Sequence, residues 1–150
     1  MSRENMEIVR RGWKAYEGGD LSGVIALLSP DMVTYVAPPV PVAGTYRGPE
    51  GFLQLTIDWA EGFDDLVITG EEFIEAGEQV VVRSLHKSRG ASSGGPVETD
   101  VWYVFTIRAG KVAQVDIFNE RSEALEAVGL SGVGDVAGER GDRAARLGGL

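Results

Sequence analysis

The chain has 150 residues, 43% hydrophobic and 25% charged, with a formal net charge of -9 and no cysteine. One domain of this length buries roughly 70% of its extended-chain surface on folding, so a sizeable core is expected. The acidic balance argues against nucleic acid and anionic membranes, which are held by clustered Lys and Arg, and the missing thiols exclude disulfides and thiolate zinc sites.

Residues 4–17 place Ile8, Val9, Trp13 and Tyr16 at helical spacing, with Arg10, Arg11 and Lys14 on the other side. Gly18-Gly19 ends this helix, and Asp20 is a good N-cap for a short second one carrying Leu21, Val24, Ile25 and Leu28. Pro30 is expected to stop it. Met32 to Val36 reads as a strand, followed by a proline-broken loop from Pro38 to Gly44. Pro49 then opens a third helix whose buried stripe is Phe52, Leu55, Thr56, Trp59 and Phe63, closed by Gly62.

From Leu66 the period changes to that of strands. The runs 66–75, 79–89, 97–108 and 111–121 are separated by Glu75-Ala76-Gly77-Glu78, by Gly90 to Pro96, and by Arg108-Ala109-Gly110-Lys111. Links this short require an antiparallel meander, because parallel neighbours need long crossovers. Its apolar face needs a cover, which the three preceding helices supply. A last helical turn or two is expected over 122–128, and the glycine-rich stretch 131–150 reads as a mobile tail behind a 1–130 domain.

Several strings resemble the SnoaL-like branch of the nuclear transport factor two-like superfamily. They are Asn5-Met6-Glu7-Ile8-Val9-Arg10-Arg11, Gly19-Asp20-Leu21, Tyr46-Arg47-Gly48-Pro49-Glu50-Gly51, Glu72-Phe73-Ile74-Glu75-Ala76-Gly77, Gly110-Lys111-Val112 and the run Arg121 to Leu130. The resemblance covers residues 4–130 and rests on turns, caps and core positions. It implies an α+β fold: a cone-shaped, curved antiparallel sheet packed against three N-terminal helices, enclosing a pocket, usually as a homodimer. Relatives include polyketide cyclases, ketosteroid isomerases and limonene-epoxide hydrolases, so the fold does not choose the chemistry.

Strand alternation selects the pocket-facing side chains. On 97–107 the odd set, Val97, Val101, Tyr103, Phe105 and Ile107, is the more apolar; on the last strand the inner set is Ala113, Val115, Ile117 and Asn119. Over 80–86, turning Val80, Val82, Ser84 and His86 inward keeps Arg83 and Lys87 in water. With the connecting loop centred near Ser93, Ser84 falls across from Tyr103 and His86 beside it. Thr34, Val36, Tyr16, Trp59 and Phe63 complete the expected pocket wall.

In such an apolar cavity His86, kept neutral by burial, serves as a proton acceptor and Tyr103 as the donor to a developing oxyanion, with Ser84 or Asn119 orienting. The competing readings are a bystander histidine at a strand end and a core tyrosine with a satisfied hydroxyl. Matched through the resemblance, Tyr103 falls near the isomerases' protonated aspartate, but their helix tyrosine corresponds to Gly12 and their base to Val36. The epoxide-hydrolase set corresponds to Thr34, Val36 and Ile117, so neither known machinery is present.

Asp100 and Asp116 are expected on the outer face, and Trp102 beside them suggests a buried convex side suited to dimerisation. One histidine and no cysteine leave no metal site, and no cofactor is expected. The sequence thus reads as a pocket protein for a small apolar molecule, either a cofactor-free isomerase, cyclase or lyase or a non-catalytic binder. A dimerisation domain with a filled interior is the third reading. The first residues lack the apolar core of a signal peptide and no run is long enough to span a bilayer, which makes a cytoplasmic location the expectation; the resemblance implies a homodimer.

Overall fold

The computed structural model of the protein describes residues 2–90 and 96–130. In chain order these form α1 (Ser2–Glu17), α2 (Leu21–Ile25), β1 (Leu28–Val36), β2 (Gly44–Arg47), α3 (Gly48–Glu61), β3 (Phe63–Ala76), β4 (Gln79–Gly90), β5 (Pro96–Arg108), β6 (Lys111–Phe118) and α4 (Arg121–Ala127). The expected tail lies outside the described residues. None of the described helices is long and apolar enough to cross a membrane.

Local chemistry explains most boundaries. Asn5, Val9 and Trp13 recur every fourth residue of α1 and are buried, while Arg10, Arg11 and Lys14 stay exposed. Gly19 turns the chain at a φ of 77°, and the Asp20 carboxylate accepts the Gly23 N–H at 3.0 Å. Pro49 sits in the first turn of α3, where a missing N–H is harmless. Ala109 and Gly110 both take positive φ, the pair of left-handed residues that the tightest hairpins demand.

The six strands lie in the order β2-β1-β6-β5-β4-β3, a curved sheet with β2 and β3 as edges. The antiparallel meander β3 to β6 is as expected. The sheet as a whole is mixed, because β1 pairs in parallel with β6, from Val33 opposite Gln114 to Val36 opposite Ile117. The intervening chain carries the long crossover that a parallel pair needs.

Four local expectations are corrected. Leu28 opens β1 opposite Val112 instead of closing α2, and Pro30 sits in the register shift between Leu28 and Val33, where its missing N–H breaks no ladder. Gly44–Arg47 forms a short edge strand, with Tyr46 opposite Thr34. Phe63 belongs to β3, since α3 stops at Glu61. On β6 the register shifts so that Thr106 faces Gln114 but Ile107 faces Val112; the extra residue, Ala113, is bulged and Val112 takes its expected place in the core.

Two cores result. The larger lies between the concave sheet face and α1–α3, and contains Val9, Trp13, Leu55, Trp59, Val82, Tyr103, Val115 and Ile117. Here α1 rests directly on β3: a Cβ added to Gly70 would come within 2.8 Å of the Phe73 ring and 3.0 Å of Trp13 Nε1. The smaller core lies on the opposite face, where α4 brings Ala124 against Val81, Trp102 and Val104. The burial of Trp102 is therefore supplied by its own chain, with the Arg121 guanidinium 5.2 Å above the indole. On the same face Arg83 bridges Glu72 at 3.4 Å and Asp100 at 3.2 Å. Asp116 accepts from Gln114 at 2.9 Å, and burial raises its carboxyl above the usual range. The two aspartates do not pair.

Candidate functional site

The inner face of β4 carries Val80, Val82, Ser84 and His86, all buried, while Arg83 and Lys87 point the other way. Charge burial forces that choice of face, as the alternation required. The β4–β5 register differs from expectation by two residues: Val82 faces Tyr103, Ser84 faces Val101, and His86 faces Thr99. Pairing of Arg89 with Pro96 sets it.

Tyr103 and His86 nevertheless meet, diagonally. The Tyr103 hydroxyl lies 3.4 Å from His86 Nε2, with the rings 30° from parallel. Ser84 stands between them in the register, and its small side chain, bonded to the Val101 carbonyl at 2.8 Å, leaves room for the phenol to lean along the sheet. The Trp13 ring meets Tyr103 edge-on at 5.0 Å, and Phe105 stacks against Tyr103 at 5.9 Å. Trp59 covers His86 at 4.9 Å.

This environment keeps the pair uncharged. Burial lowers the His86 pKa from 6.5 to about 4. Burial also pushes the Tyr103 hydroxyl well above the usual phenol range; neighbouring Tyr16 adds to the rise and a Ser84 hydrogen bond opposes it. Tyr16 is itself raised by burial. Desolvation disfavours the charged form of each group, so neutral phenols face a neutral imidazole. A contact of 3.4 Å is long for an O–H···N bond, and an incoming oxygen can compete for the Tyr103 proton.

Two cavities adjoin the pair. One, of about 70 Å3, lies on the helix side and is walled by α1, α3 and the inner sheet; it takes in Tyr16, Trp59, Tyr103, Phe105 and Ile117 from the expected set. The other, of about 100 Å3, lies toward Val40 and Pro41 and takes in Trp59, Phe63, His86, Val101 and Asn119. Thr34, Val36, Ser84 and Val115 line neither; they are fully buried in the packed interior, and the Thr34 hydroxyl has no partner there. Thr56, expected in the buried stripe of α3, lines the helix-side wall; Ser88 and Thr99, which sequence reasoning did not single out, line the other. Ser88 was within reach of the alternation that selected Ser84 and His86. Thr99 belongs to the same odd-numbered set of 97–107 that alternation turned inward and was equally within reach. Among the described residues no group of three His, Asp or Glu side chains is placed to hold a metal ion.

Comparison with known proteins sets this geometry in a lineage. The model of the SnoaL-like domain matches residues 9–115. The chain belongs to the SnoaL-like family. No curated protein sequence matches it significantly. Among solved structures, this SnoaL-like chain resembles an NTF2-like protein of unknown function from Burkholderia pseudomallei, with 22% identity over 84% of this chain and 98% of that one and a TM-score of 0.68. An NTF2-like protein from Burkholderia xenovorans is 26% identical over 85% and 98% of the two chains, with a TM-score of 0.65. TerC, co-crystallised with polyporic acid, is 20% identical over 83% and 98%, with a TM-score of 0.67. These likenesses establish the NTF2-like α+β fold of this SnoaL-like chain, and the chemistry rests on its own residues.

Proposed function

We propose that this SnoaL-like protein takes up a compact, largely apolar small molecule and holds a hydrogen-bonding group of it at Tyr103 and His86. The observation that carries this reading is the neutral 3.4 Å contact between the two, with His86 in the wall of one cavity and Tyr103 in the wall of the other. A ligand carbonyl accepts the Tyr103 proton, and Nε2 of His86, no longer engaged by the phenol, is left free to accept one. That TerC, of similar fold, was crystallised with a small molecule supports a ligand in such an interior.

Turnover, on this reading, needs no cofactor. His86 Nε2 removes a proton from carbon next to the ligand's carbonyl, the electron pair moves onto the carbonyl oxygen, and Tyr103 donates to that oxyanion. Return of the proton at another position isomerises the substrate; loss of a leaving group completes an elimination. An imidazole with a pKa of about 4 is a weak base, which restricts this chemistry to carbon acids activated by conjugation. That same weakness favours the second reading, a binder without turnover.

Melting temperature measured against steroids, aromatic polyketides, terpenoids and phenols tests uptake. A ligand at about 100 times its Kd adds about 2.7 kcal/mol, which raises Tm by roughly 5–11 °C for a chain of this size. Tyr103→Phe is expected to weaken the responding class by roughly tenfold, the worth of about one hydrogen bond. If no class responds, the uptake reading fails. For turnover, His86→Ala is expected to lower the rate by roughly 10²–10⁴; undiminished product formation removes His86 from the base role, and tight binding without product leaves the binder.

The homodimer is proposed on the family resemblance alone, since α4 already covers Trp102. Light scattering at twice the 16.0 kDa chain mass is the expected result, and a monomeric mass would refute it.

A further inference from the structure

Trp59 occupies an unusual place. It is 5% exposed, it ends the buried stripe of α3, and it is the residue common to the walls of both cavities. His86 lines only the loop-side cavity and Tyr103 only the helix-side one, yet their polar atoms are 3.4 Å apart. The hydrogen-bonding pair therefore straddles the partition, and the Trp59 indole, 4.9 Å from the imidazole, stands beside it.

The two cavities also differ in chemistry. Apart from Tyr16, Thr56 and Tyr103, the helix-side wall is aliphatic and aromatic carbon with the indole of Trp13. The smaller set of residues around the loop-side cavity includes His86, Ser88, Thr99 and Asn119. Hydrogen-bonding side chains thus make up a larger share of the second wall than of the first.

From this arrangement we infer that one ligand spans both cavities and that Trp59 decides how long it can be. The ligand is amphipathic: a ring system or branched hydrocarbon on the helix side, a carbonyl or hydroxyl at Tyr103 and His86, and a polar arm toward Ser88, Thr99 and Asn119. For the arm to pass, the indole rotates away from the partition, so Trp59 is a specificity-determining residue that favours short ligands over long ones. The inference rests on the proposed uptake at Tyr103 and His86 and adds to it the substrate class.

Two probes separate the claims: β-naphthol, whose rings must widen the helix-side cavity of about 70 Å3 to reach the polar pair, and the N-hydroxyethyl amide of 3-hydroxy-β-naphthoic acid, which adds the polar arm. Affinities are measured by calorimetry on the wild-type chain and three variants. Thr99→Trp, at an exposed position opposite His86, is placed to fill the loop-side cavity. It is expected to weaken the amide by roughly tenfold or more beyond any effect on β-naphthol. Trp59→Ala removes the partition and is expected to tighten the amide by roughly tenfold relative to β-naphthol. Trp59→Phe gives the same direction with a smaller gain, and serves if the alanine variant does not fold.

Amide binding that is indifferent to Thr99→Trp, or Trp59 variants that change both probes equally, would overturn the spanning ligand while leaving uptake at the polar pair intact. β-Naphthol binding that is indifferent to Tyr103→Phe would instead overturn the uptake reading itself, and the inference with it.

Discussion

Acidification from about pH 6.5 to about pH 4 is expected to cost the folded protein about 3 kcal/mol through His86 alone. In the unfolded chain the imidazole titrates at its ordinary value of 6.5, whereas in the fold burial holds it at about 4. Within that window the unfolded state binds the extra proton, so stability rises with pH. The contribution is fully present above about pH 6.5 and is lost as pH falls toward 4. For a chain of this size the cost corresponds to a drop of roughly 6–12 °C in Tm.

His86 is the single histidine, so its imidazole resonance titrates without any assignment problem. A midpoint near 4 by NMR is the direct check. The thermodynamic check is the Tm–pH profile of His86→Gln, from which this component is expected to vanish whatever the variant's absolute stability. Profiles that run parallel through the whole window would contradict the burial argument. Ligand occupancy at Tyr103 bears on the same group, so a bound carbonyl compound should shift the titration.

Truncation of Trp102 to alanine is expected to lower stability by about 3–5 kcal/mol, the usual cost of deleting a buried aromatic side chain. The indole is 3% exposed and packs with Val81, Val104 and Ala124. Loss of the Arg121 guanidinium's contact with the ring adds about 0.5–1 kcal/mol of that total. Chemical denaturation measures it. Because α4 of the same chain is the cover, the loss should not depend on protein concentration. A deficit that grows on dilution would mean that a second copy also rests on this face.

Much of the architecture was legible in the residues because it is set locally. Period-two alternation placed Val80, Val82, Ser84 and His86 on one face of β4, and the charges of Arg83 and Lys87 settled which face it was. The Ala109-Gly110 pair announced its hairpin, and Asp20 and Pro49 announced their helix starts. Tyr103 and His86 were expected to share one cavity; their polar atoms do meet, but each lines a different cavity. Ala113 was misplaced, since nothing in Lys111 to Phe118 marks a bulge that arises only when β6 meets β5. Phe63 continued the helical stripe of α3, and only its pairing with Gly90 on β4 claims it for the sheet.

The sequence by itself determined the class of fold, the meander, the inward faces and the residue types available to the site, because each depends on the backbone and on neighbours a few positions away. The tertiary structure alone decided the parallel union of β1 with β6, the cover of Trp102 by α4, the β4–β5 register, and the division of the interior at Trp59. Each of these joins segments remote in the chain, where several pairings satisfy the local pattern equally. Only simultaneous packing of the whole core, in which Arg89 meets Pro96 and Tyr103 leans over Ser84 to His86, selects one.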